Sequence, residues 1–229
     1  MTRRPSLLAS LLMFLPLCAV AGSLQVSNGS AGGNYSVRVT TLKEARFRNT
    51  IHQKYDFSCG SAAVATLLTY QYGFPVSEQR AFRAMFVHGN RAKISKDGFS
   101  LLDLKRFLAA YGFEADGFVV PLDTLEQERL PAIVLIDEGG YHHFVVIKGM
   151  LGGRVLIGDP AKGTRSMPQT EFEKLWKNRL VFVIHNRRDV ARFNSREDWR
   201  AAPMAALGSG LDRDGLYNVV MPKSGVAIN

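Results

Sequence analysis

Gln53-Lys54-Tyr55-Asp56-Phe57-Ser58-Cys59-Gly60-Ser61-Ala62-Ala63 is the stretch on which the reading of this chain turns. A polar, irregular approach gives way at Cys59 to an almost wholly apolar run, Ala62 through Leu68, that ends at Tyr72-Gly73. Its length and Ala/Leu content predict a buried helix beginning at residue 59 and stopped by Gly73 and Pro75. A thiol at a helix N-terminus faces unpaired N–H groups and the positive end of the macrodipole, which favour the thiolate, the attacking form. Gly60 reads as room for a substrate backbone to come close. Gln53 precedes the cysteine by six residues on an extended segment. Its amide can therefore fold back beside the sulfur as a donor to a developing oxyanion.

Working outward, the next segments keep helical spacing. Ser77 opens a helix to about Val87 through Ala81 and Met85. Ser100 opens another, with Leu101, Leu104, Leu108 and Tyr111 on one face and Gly112 at its end. The second half turns to β. Ala132–Ile136 is a continuous apolar strand, and 144–149 and 154–158 flank Gly152-Gly153 as a hairpin. A short helix at 170–177 carries Phe172 and Trp176, and Leu180–Ile184 is a last strand. Helices followed by an antiparallel sheet make an α+β fold. Residues 46–185 form the main domain, residues 22–45 read as a flexible leader with a short strand, and residues 186–229 read as an irregular C-terminal extension.

A thiol nucleophile needs a base, and the chain has five histidines. His52 adjoins the motif as a surface residue, His88 sits in a helix tail and His185 ends a strand. His142 and His143 lie where Gly139-Gly140 passes into the 144–147 strand, a junction suited to aiming a ring into a cleft. Side chains alternate along a strand, so one of the two faces the cysteine, and His143 is the candidate base. Asp159, in Gly158-Asp159-Pro160, ends the next strand at the same end of the sheet. It can accept the imidazole N–H and hold the tautomer. The plain alternative is a strand-ending Asp-Pro turn. Asp56, Asp137 and Glu138 are other carboxylates, none at such a strand tip.

The N-terminus reads as an export signal over residues 1–21: Arg3-Arg4, an apolar run Leu7–Val20, then Ala19-Val20-Ala21 before a cleavage point. The run is short for a membrane span, and Leu17 before Cys18 is bulky for a lipoprotein signal. Cleavage leaves no stable membrane span and a periplasmic protein. It also removes two arginines and no acid, lowering the formal charge from +9 to +7. The basic residues are scattered without aromatic interleaving, so no nucleic-acid partner is expected. After cleavage Cys59 is the remaining cysteine of the chain's two, a lone thiol in an oxidising compartment. No Cys-x-x-Cys, His-Glu-x-x-His or phosphate-binding glycine loop occurs, so neither metal nor other cofactor is expected.

The Gln53–Ala63 stretch, the run His143-Phe144-Val145-Val146-Ile147 and Gly158-Asp159-Pro160-Ala161 occur in that order. Together they resemble the bacteriocin-processing cysteine peptidases, which remove double-glycine leaders. The resemblance implies a papain-like fold with Cys59 as nucleophile, His143 as base, Asp159 orienting it and Gln53 in the oxyanion hole. It covers about residues 46–185. Family members fused to ATP-binding-cassette exporters cut on the cytoplasmic side. No transporter segment is read here, and the chain is more similar to stand-alone exported relatives, including the peptidases encoded with functional-amyloid (Fap) secretion systems. The expected partner is a peptide or protein substrate, in association with a secretion system. Rival readings are a papain-like deamidase or acyltransferase and a non-catalytic binding or assembly factor. Gly32-Gly33 is a candidate self-processing site.

Overall fold

The computed structural model describes residues 23–27, 34–38 and 40–202. The expected signal segment, Gly32-Gly33 and residues 203–229 lie outside them. The chain divides into two units, Met1–Thr41 and Leu42–Asn229. In the first, β1 (Ser23–Ser27) pairs antiparallel with β2 (Asn34–Arg38), Leu24 opposite Val37 and Val26 opposite Tyr35. Within residues 22–45, read as a flexible leader with a short strand, residues 23–27 and 34–38 are thus paired strands and residues 42–46 are helical.

The second unit starts with α1 (Leu42–Arg46) and an irregular approach to α2 (Cys59–Thr66). The expected single helix to Tyr72 changes at Leu67–Gln71 into a π-helical turn. The helices α3 (Glu78–His88), α4 (Arg91–Asp97) and α5 (Leu101–Ala109) follow. Ser77 caps α3 by accepting from the Arg80 N–H at 3.2 Å. Ser100 and Asp103 close a reciprocal capping box on α5.

Strand β3 (Ala115–Val119) and helix α6 (Leu122–Glu128) lead into the sheet. Next come β4 (Ala132–Glu138), β5 (Tyr141–Leu151), β6 (Arg154–Asp159), β7 (Gly163–Pro168), α7 (Gln169–Leu175) and β8 (Leu180–Ile184). The sheet has six strands in the order β3-β8-β4-β5-β6-β7, every neighbouring pair antiparallel. One face packs Phe144, Val146 and Ile133 against α2, α3 and α5. The other packs Val145, Ile147 and Val155 around Phe172 and Trp176. Full burial of each such aliphatic or aromatic side chain contributes about 1.5–3 kcal/mol. Sequence patterning missed β3, β7, α4 and α6, whose apolar content is too sparse for a periodicity to stand out. No described helix is long and apolar enough to cross a membrane.

Residues 186–202 differ from the irregular extension expected. After a 3-10 turn (Arg188–Val190), Phe193 enters the second core, and α8 (Arg196–Ala201) buries Asp198 against Lys148. A polar segment is drawn in because a buried lysine on β5 needs its carboxylate.

Candidate active site

Cys59 is the first residue of α2 and only 7% exposed. Ser58 precedes the helix, but its side chain makes no cap bond. Its hydroxyl donates to the Tyr55 carbonyl at 2.9 Å and accepts the Tyr55 N–H at 3.1 Å. The first-turn donors of α2 are thus left without a side-chain cap beside the sulfur. Burial pushes the thiol above its ordinary value of 9.0, opposed by hydrogen bonds from the backbone of Phe144 and Gly60. Phe144 directly follows His143, so the sulfur lies against the strand that carries the candidate base. Gly60 does not leave room for a substrate as expected. A Cβ there would stand 2.9 Å from the Cβ of Phe99, so the glycine serves the packing of α2 on its own neighbours.

The other half of the site stands at one end of the sheet. Four adjacent strands each offer a charged or titratable group to one face: Glu138 from β4, His143 from β5, Asp159 from β6 and Arg165 from β7. His143 is 1% exposed and Asp159 fully buried, with His143 Nε2 3.5 Å from Asp159 Oδ2. Neither ring nitrogen of His143 has a hydrogen-bond partner, an unusual condition for a buried imidazole. Asp159 is held from its other sides. Oδ1 accepts the N–H groups of Ala161 and Lys162 at 2.9 and 3.1 Å, and Oδ2 accepts from Arg165 Nη2 at 2.8 Å. Burial, opposed by the Asp159 charge, lowers the His143 imidazole below its ordinary 6.5. Glu138 is raised by burial but brought below the usual carboxylate value by hydrogen bonds from Lys162 and Arg165.

Tyr141 joins the two halves. Its ring meets that of His143 edge-on at 5.3 Å, and its hydroxyl donates to the Asp56 carbonyl at 3.0 Å, in the loop before Cys59. The Gln53 N–H donates to the carbonyl of Pro160 at 3.0 Å, tying the approach segment to the residue after Asp159. The Gln53 amide nitrogen donates to the carbonyls of Tyr55 at 3.2 Å and Asp56 at 3.5 Å. Its Oε1 is buried without a partner.

Two clefts, of 330 and 360 Å³, share Cys59, Asp97, Gly98 and His142 in their walls. The adjacent histidines are split as alternation requires. His142, with a side chain 63% exposed and 3.9 Å from Asp137, lines the clefts, while His143 turns inward to Asp159. The structure thus brings the predicted His143 and Asp159 together and sets Cys59 in cleft walls shared with His142, while Tyr141 and Arg165 were not read from the sequence. No periodicity in residues 163–168 marked Arg165; the β6–β7 register sets it opposite Ile157 on the face of Asp159. Among the described residues, no group of three or more His, Cys, Asp or Glu is placed to hold a metal.

Residues 48–188 match the model of the peptidase C39 family, and Cys59 is the single cysteine within that span. The chain is 40% identical over 179 residues to the probable functional amyloid protease FapD of Pseudomonas aeruginosa, covering 78% of this chain and 79% of that protein. It is 30% identical over 138 residues to the lactococcin-G-processing and transport ATP-binding protein LagD of Lactococcus lactis, covering 59% of this chain and 18% of that protein. Among solved structures, a double glycine motif protease from an AMS/PCAT transporter, in complex with its leader peptide, is 28% identical with a TM-score of 0.48. The likeness covers 59% of this chain and 91% of that one. A match spanning more than half the chain, and a relative this similar over most of both lengths, place it: the chain belongs to the peptidase C39 family and is a cysteine-type peptidase of papain-like α+β fold.

Proposed function

We propose that this chain is an exported, periplasmic cysteine peptidase that cuts a secreted protein in a functional-amyloid export system, with Cys59 as nucleophile, His143 as base and Asp159 as its orienter. The observation that carries the site assignment is the buried His143 imidazole with the Asp159 carboxylate at 3.5 Å, next in the chain to Phe144, which shares a cleft wall with Cys59. The similarity to a protein named as a functional amyloid protease supports the substrate class, and the signal-like residues 1–21 support the compartment.

In the resting site the thiol is raised and the imidazole lowered, both by burial, so the pair rests as neutral thiol and neutral imidazole. His143 takes the thiol proton as sulfur attacks the scissile carbonyl. The N–H groups at the start of α2 and the Gln53 amide hold the oxyanion, the 3.5 Å bond to Asp56 being the weaker of its two and the one exchanged. The imidazolium then protonates the leaving amine, and water, deprotonated by the same ring, hydrolyses the thioester. Asp159 stabilises the imidazolium, while Arg165 and two backbone N–H groups keep its carboxylate in place.

The test compares the N-termini of exported proteins, by mass spectrometry, in cells carrying wild-type chain or Cys59→Ala. A new N-terminus present only with the wild type identifies the substrate. Identical N-termini, with both chains expressed and folded, defeat the proposal. Hydrolysis splits the substrate and adds water, which separates peptidase action from deamidation or acyl transfer. A second reading makes His142 the base, because it lines the clefts with Cys59. It requires that His142→Ala abolish cleavage and His143→Ala spare it. Asp137, its carboxylate neighbour, is engaged by Lys177 at 2.6 Å, which favours His143.

A further inference from the structure

The pairing of β5 with β6 changes register once. At the hairpin end Leu151 faces Arg154, Met150 faces Val155 and Gly149 faces Leu156, whereas beyond Lys148 Ile147 faces Ile157 and Val146 faces Gly158. Lys148 is the extra residue of a β-bulge. The core records the change of phase: Val145 and Ile147 enter the second core before the bulge, and Met150 enters it after. Had the hairpin-end register run on, Asp159 would stand opposite Val146, on the face packed against α2. The bulge turns its carboxylate to the face of His143, because a one-residue slip exchanges the faces of every later side chain.

A segment beyond the family match at residues 48–188 holds this bulge from several directions. The Asn194 N–H donates to the Lys148 carbonyl at 2.9 Å, and the Asn194 side-chain amide donates to the Met150 carbonyl at 2.8 Å. Asp198 forms an ion pair with the fully buried Lys148, whose ammonium also donates to the Asn49 carbonyl at 2.7 Å. Asp198 is braced in turn by Gln71 at 3.2 Å and Ser195 at 2.9 Å. At Gly149 a Cβ would fall 3.1 Å from the Asn194 Cα, so the glycine is what lets the two backbones meet.

We propose that Asn194 and Asp198 form a clamp on the Lys148 bulge that sets the strand register on which the His143–Asp159 pair depends, making all three positioning residues for the peptidase reaction. This rests on His143 and Asp159 being the base and its orienter. A buried polar group can select register, as a single core asparagine does in coiled coils.

The test uses full-length protein and iodoacetamide as the probe of Cys59, with alkylation rate measured against pH and thermal melting followed in parallel. His143→Gln and Asp159→Asn are the reference variants: the first removes the histidine inflection, the second moves it to lower pH. Asn194→Ala, Asp198→Asn and the paired Lys148→Met/Asp198→Leu are the clamp variants, and those that fold are read. The paired variant removes both charges together and is built to retain the fold. The expected result is an inflection displaced in the same direction as in Asp159→Asn, with alkylation at neutral pH slowed about tenfold or more, as misplacement of a reacting group produces. A purely architectural role would lower the melting temperature and leave the inflection at its wild-type pH, and that outcome overturns the clamp. Reference variants with unchanged profiles overturn the reading of the site, and the clamp with it.

Discussion

Strand β5 carries two buried titratable groups on opposite faces, His143 and Lys148, and they are treated in opposite ways. Lys148 is saturated: Asp198, the Asn49 carbonyl and the Tyr70 ring, 5.6 Å from its ammonium, surround it. His143 has a carboxylate 3.5 Å away and no hydrogen bond on either nitrogen. Burial lowers the pKa of both, with Asp198 opposing at one and Asp159 at the other. The satisfied group holds the strand in place. The unsatisfied one keeps free donor and acceptor capacity for a proton that moves during turnover, at a cost to stability that the surrounding core offsets.

The contrast breaks most sharply at His143. His143→Ala is expected to lower kcat about 10⁴-fold or more, as loss of a triad base does, with the melting temperature held or raised because an unpaired buried polar group is removed. A variant that melts much earlier would make His143 architectural. Asp159→Asn, assayed on the same substrate, should cost about 10⁴-fold by the same logic.

Lys148→Met should invert the pattern. It leaves Asp198 buried without its partner, and denaturant unfolding should show a loss of about 3–5 kcal/mol. Adding Asp198→Leu should recover most of that loss.

Gln53→Ala should reduce kcat about 10²–10³-fold, with KM little changed, as removal of one oxyanion donor does. An unchanged kcat would confine Gln53 to its backbone bond with Pro160.

The smallest effect is in pH. The folded imidazole lies below 6.5, so its base form prevails through neutral pH and cleavage should decline as pH falls below 6.5 toward the folded value. The folded state then binds fewer protons than the unfolded one. The stability linked to His143 is therefore present above 6.5 and lost as pH drops through the folded value. Because Asp159 raises this pKa, Asp159→Asn should move the acidic limb lower still.

How legible each part was depended on its range along the chain. The start of α2 at Cys59 followed from composition over a dozen neighbouring residues, and so did the hairpin flanking Gly152-Gly153. Gln53 was found by its offset, but its amide rests on the Tyr55 and Asp56 carbonyls, because a local acceptor competes for it. Residues 186–229 read as an irregular polar extension, since nothing near Asp198 in sequence announces a lysine fifty residues earlier.

The amino-acid sequence by itself determined the thiol at a helix start, the α+β order of elements and the candidacy of His143 and Asp159, because short-range periodicity and turn chemistry govern those. Tertiary structure alone decided that the Asp159 carboxylate shares a face with His143, that Tyr141 bridges to the cysteine loop and that the C-terminal segment grips the bulge. Register is a property of two strands together: one residue of slip reverses every side chain, and no single strand's sequence records which alignment its partner takes.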